Sequence, residues 1–114
     1  MTAKGFERKE KIKSFKKGII FLIGDMGNYG VSENEMNIRE VILEKEGYCV
    51  FNPVRIIPYN SSEMLRNRIL IAKLMECKKV FVMLKYEKSS INHILVDLAA
   101  KLDYEIIYEK GEST

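Results

Sequence analysis

The chain has 114 residues, 46% of them hydrophobic and 31% charged, an ordinary globular balance in one domain's length. It can bury roughly two-thirds of the surface its unfolded form exposes, so no disulfide or metal staple is required. Two cysteines without a C-x-x-C pair and a single histidine exclude a zinc set, so reduced thiols, no metal and no cofactor are expected.

The net charge of +3 is unevenly spread. Residues 1–17 form a basic arm, with Lys4, Arg8, Lys9, Lys11, Lys13, Lys16 and Lys17 set against Glu7 and Glu10. Its net of +5 leaves the body at −2. Phe6 and Phe15 interleave with these charges. Such an arm is either a solvated leader or a contact for nucleic acid or protein. It lacks an apolar stretch of signal-peptide type.

Ile19 to Ile23 is a continuous apolar run of the kind buried on both faces of a parallel sheet, and it ends at Gly24. It is far too short to span a membrane. A cytoplasmic protein with no membrane partner is the expectation. Residues 25–32 read as a loop, with Gly27, Asn28 and Gly30 as turn formers. A helix capped by Ser32 or Asn34 follows, with Met36, Ile38, Val41, Ile42 and Leu43 as its apolar side and Gly47 as its stop. Residues 48–51 make a second strand, ended by the turn Asn52-Pro53. Asn60 to Glu63 starts a second helix, whose apolar positions include Met64, Leu65, Ile69, Ile71, Leu74 and Met75. Residues 80–84 form a third buried strand. A third helix runs from Ser89-Ser90 to about Leu102, and residues 104–108 form the last strand. Residues 111–114 are a tail, so the domain proper is 18–110.

The order β-α-β-α-β-α-β predicts an α/β fold: a single three-layer domain with a short parallel sheet in order 2-1-3-4, flavodoxin-like or Rossmann-like. In such sheets ligands bind beyond the carboxyl ends of the strands, where strand order reverses. That point lies between strands 1 and 3, at the loops 24–32 and 83–90, with Asn52-Pro53 nearby. The stretch Gly24 to Gly30 is neither G-x-G-x-x-G nor a Walker A sequence. His93 and Asp97 share a helix face, either as an acid–base pair or as a surface interaction. No Gly-x-Ser-x-Gly motif supplies a nucleophile.

Several fragments together resemble the nucleoside 2-deoxyribosyltransferase-like superfamily, and more closely its small, often phage-associated branch with no established function. They are Gly24, Met26 and Gly27 after strand 1, Asn37 in the first helix, and Gly47-Tyr48-Cys49-Val50-Phe51-Asn52-Pro53. Arg68, Cys77 and Tyr86-Glu87-Lys88-Ser89 complete the set. The resemblance covers about residues 18–108. It implies a ligand-binding set of Gly24, Asp25, Met26, Asn28, Asn37, Asn52, Pro53, Arg68, Tyr86 and Ser89. The chain departs from the pattern at Asp25, Leu70, Lys78 and Ile91. Where the enzymes carry their catalytic Glu, it has Leu95, which cannot attack an anomeric carbon. Asp25 is the candidate substitute acid. Asp97 lies about 200° round the helix from Leu95, too far to serve.

The expected function is therefore binding of a nucleoside or nucleotide by a catalytically degenerate relative. Two alternatives stand beside it. One is an active N-glycosidic-bond enzyme, a deoxyribosyltransferase or nucleotide N-glycoside hydrolase, using the substituted acid. The other is an interaction module worked by the basic arm. A homo-oligomer is an expected partner state, because the enzymes resembled commonly complete their pockets across subunits.

Overall fold

The computed structural model describes residues 16–26, 29–58, 60–84, 86 and 89–110. Strands β1 (Gly18–Ile23), β2 (Tyr48–Phe51), β3 (Lys79–Val82) and β4 (Glu105–Tyr108) form one parallel sheet in the order β2-β1-β3-β4. Helix α1 (Tyr29–Lys45) joins β1 to β2. The short α2 (Pro53–Ile56) and α3 (Glu63–Leu74) lie between β2 and β3, and α4 (Ser90–Lys101) joins β3 to β4. The predicted fold class and strand order hold. Most of the basic arm, the tail and Asn28 lie outside the described residues.

Side-chain alternation along β1 divides the core in two. Phe21 and Ile23 face α3 and α4, in a cluster with Phe51, Leu70, Leu74, Val80, Val82, Leu95 and Ala99. The rings of Phe21 and Phe51 stack at 5.0 Å. Ile20 and Leu22 face the other way, toward Met36, Leu43, Tyr48 and Met83. Fully burying each such side chain contributes about 1.5–3 kcal/mol.

Four sequence expectations need correction. Helix α1 begins at Tyr29, so the loop predicted over 25–32 is shorter. Gly30 falls in the first helical turn, where backbone N–H groups have no intrahelical acceptor in any case, and glycine breaks little there. The apolar residues of α1 do not share one side. Met36 and Leu43 are buried, while Ile38, about 200° away by helix geometry, is exposed with Val41 and Ile42. Asn52-Pro53 opens a helical turn rather than ending in a plain one. Asn52 caps α2, accepting a hydrogen bond from the Val54 N–H, and Pro53 takes the first helical position, where its missing N–H costs nothing. Strand β3 ends at Val82. Met83 adds a single further bond, donating to the Ile23 carbonyl at 2.8 Å.

The far end of the sheet is tied back to α1. Glu109, just past β4, accepts from Arg39 Nε at 2.9 Å through one carboxylate oxygen and from the Leu84 N–H at 3.0 Å through the other. Gly47, at a φ of +107°, ends α1 in a conformation that a side chain would strain. Cys49 and Cys77 form no disulfide.

Candidate functional site

Helices of a parallel α/β unit run opposite to the strands, so their N-termini gather at the strands' carboxyl ends. Here the N-termini of α3 and α4 meet the segment that leaves β1, at the point between β1 and β3 where strand order reverses. Between them is a cleft of about 290 Å³. Gly24, Asp25 and Met26 line one side. Glu63, Arg66, Asn67 and Leu70 come from α3, and Ser89, Ser90, Ile91 and Asn92 from the start of α4.

Asn92 fixes the floor. It is buried, and its Nδ2 donates to the Gly24 carbonyl at 2.8 Å and to the Tyr86 carbonyl at 3.0 Å. One amide thus joins the end of β1 to the loop after β3. Gly24 sits close against Met83: a Cβ there would lie 2.6 Å from the sulfur of that buried side chain, which would have to shift. The ends of α3 and α4 differ. Ser62 caps α3 by accepting from the Leu65 N–H at 3.1 Å. Ser89 occupies the cap position of α4 but makes no side-chain capping bond, and it borders the cleft. The cleft carries carboxylates at Asp25 and Glu63, a guanidinium at Arg66, and an apolar wall of Met26, Leu70 and Ile91. Such walls suit a ligand with a flat apolar part, hydroxyls and an electron-rich group, the last favoured by the positive ends of the helix dipoles.

The structure brings some expected site residues together and separates others. Gly24, Asp25, Met26 and Ser89 line the cleft. Asn52 is 1% exposed, and its Nδ2 donates to Asn37 Oδ1 and Glu40 Oε1, both at 2.9 Å. With buried Pro53 they form a knot between α1 and α2, in which Glu40 also holds Arg55 Nε at 2.6 Å. Arg68 is exposed on the outer side of α3, beside Met64 and Ile71. Arg66, about 200° round the helix from it, is the arginine that reaches the cleft. Tyr86 packs against the core with its ring 5.5 Å from that of His93. Asp97 is exposed and meets Lys101 at 3.4 Å.

The positions at which the chain departs from the pattern it resembles also find places. Leu95 has no exposed surface and belongs to the larger core cluster, with Leu70. Lys78 precedes β3 and so sits at the amino end of the sheet, opposite the cleft. Burial pushes the Cys77 thiol up to about 11, with Glu76 and Cys49 adding to the effect, and its Sγ donates to the Lys73 carbonyl. It is a protonated core residue rather than a nucleophile.

Sequence reasoning missed Glu63, Arg66, Asn67 and Asn92. The first three share one helix stripe with the buried Leu70 and Leu74, and extending that stripe back to the N-terminus of α3 would have found them. The signal for Asn92 is a poor helix former three residues past the cap.

Among the described residues, no group of His, Cys, Asp and Glu is placed to hold a metal ion, and no helix is long and apolar enough to cross a membrane. No curated protein matches the chain. A family model matches residues 19–108, from the second residue of β1 to the last of β4, and so takes in every strand, every helix and the whole cleft: the chain belongs to the family described as Domain of unknown function (DUF4406).

Proposed function

We propose that the protein binds a nucleoside- or nucleotide-like small molecule in the cleft at the ends of β1 and β3, without cleaving it. The observation that carries this reading is a contrast. The cleft keeps a mixed lining of carboxylate, guanidinium, amide, hydroxyl and apolar groups, while Leu95, which the resemblance matches to the superfamily's nucleophile, is sealed in the core. The apolar wall of Met26, Leu70 and Ile91 suits a base or sugar face. Asp25 and Glu63 suit hydroxyl donors, and Arg66 with the α4 N-terminus suits a phosphate or carbonyl oxygen. The resemblance to the nucleoside 2-deoxyribosyltransferase-like superfamily supplies the ligand class.

A second reading, an active N-glycosidic-bond enzyme, is favoured by Asp25, a carboxylate at the cleft lining. Calorimetric titration with nucleosides and nucleoside 5′-monophosphates, with assay of the same mixtures for free base, separates the two. Binding without base release, weakened by Arg66→Ala and untouched by Arg68→Ala, is the expected result. Base release by the pure protein that vanishes in Asp25→Ala would establish the enzyme instead. No binding of any compound would overturn both.

A further inference from the structure

Helix α1 presents apolar residues to solvent as well as to the core. Ile38, Val41 and Ile42 are 56%, 46% and 51% exposed, although Met36 and Leu43 on the opposite side already anchor the helix. With Asn34, Asn37 and Arg55 they line a shallow groove of about 500 Å³, on the other side of the sheet from α3 and α4. Single exposed aliphatic residues are ordinary, but three adjoining ones on one stripe mark a contact surface.

Charge along the stripe identifies the occupant. Glu35 lies at its N-terminal end and Lys45 at its C-terminal end, and among the described residues neither side chain is engaged in an ion pair. Of the three charges between them, Arg39 is committed to Glu109 and Glu40 to Arg55 and Asn52, while Glu44, about 200° round the helix from Ile42, lies off the stripe. Two copies of α1 packed antiparallel, crossing at about 20° around a two-fold axis level with Glu40, satisfy both ends. Ile42 of each copy then meets Ile38 of the other, and Lys45 of each meets Glu35 of the other. The two helix dipoles oppose each other, which adds to the pairing. We infer that the outer face of α1 is a self-complementary interface through which two copies of this chain associate as a weak symmetric dimer. The inference is independent of the ligand reading, because the stripe shares no residue with the cleft.

The test is sedimentation velocity of the full chain from low micromolar to near-millimolar concentration, with circular dichroism to verify that each variant is folded. The wild type is expected to shift from monomer to dimer over this range. Ile42→Glu, at an exposed position, should leave only monomer. Lys45→Glu and Glu35→Lys should each weaken association about tenfold, since the rim pair occurs twice and reverses to repulsion. The combined charge swap should restore it, an outcome that a different protein partner or a different dimer face does not produce. A wild type that stays monomeric throughout overturns the proposal, as does a dimer indifferent to Ile42→Glu and to the charge swap.

Discussion

Asn92 offers the sharpest test of how the cleft is built. Its amide donates two hydrogen bonds to backbone carbonyls inside the fold, and it is 4% exposed. Each bond contributes about 1 kcal/mol net, and losing a buried partner adds the cost of leaving carbonyls unsatisfied. Asn92→Ala should therefore destabilise the fold by about 2 kcal/mol. In a domain of this size that lowers the melting temperature by about 10 °C. Asn92→Asp is the more telling change. It keeps the shape but donates nothing, and it sets a negative charge against two carbonyl oxygens. At the third position of a helix, an exposed Asp would instead stabilise by about 0.3–1 kcal/mol through the dipole. The two accounts predict opposite signs. Thermal unfolding followed by far-ultraviolet circular dichroism decides: an Asn92→Asp variant as stable as wild type, or more so, refutes the carbonyl bridge.

Leu95→Glu should not recreate an active site, because it buries a carboxylate among Phe21, Val80 and Leu70. The cost of several kcal/mol is a large share of a typical domain's stability. A soluble variant with a cooperative melt and base-releasing activity would show that the position faces the ligand. Asn52→Ala should cost about 2–3 kcal/mol, since it removes a helix cap and both donors to Asn37 and Glu40. Asn37→Ala should cost less, because the Asn52 amide keeps Glu40, and comparison of denaturant midpoints checks the order. The raised thiol of Cys77 makes stability fall with alkaline pH: the folded state holds its proton while the unfolded chain releases it near 9.0, so stability is full below that value and is lost up to about 11. Cys77→Ser should flatten that part of the pH profile of the denaturant midpoint.

The fold was legible because its signals were periodic and local. The apolar run at 19–23, the glycine at 47, and Ser62 and Ser89 ahead of α3 and α4 mark element ends by chemistry that tertiary contacts did not override, while the run at 80–84 overshot the end of β3 at Val82. The start of α1 was less legible, because glycines that read as loop cost little in a first helical turn. The cleft was legible in position but only partly in membership. Topology placed Gly24, Asp25, Met26 and Ser89 there, since each directly follows a strand or starts a helix. Arg68 and Arg66 differ by two positions, and only knowledge of which side of α3 is buried separates the arginine in the cleft from the one outside. Asn37 and Asn52 were paired by folding with each other, a contact across 15 residues that no single-residue reading supplies.

The carboxylate of Glu109 carries a consequence for the order in which this chain becomes a protein. Arg39 leaves the ribosome 70 residues before the partner that holds it. Until then α1 rests on its apolar contacts and on the polar knot that Asn37 and Glu40 make with Asn52 and Arg55, with its outer aliphatic stripe still available. The last strand must arrive before the helix is latched and the loop after β3 is fastened through Leu84. A chain shortened to Tyr108, the last residue of the matched family segment, would keep all four strands and lose that latch. The mechanical end of the domain thus lies one residue beyond its family boundary.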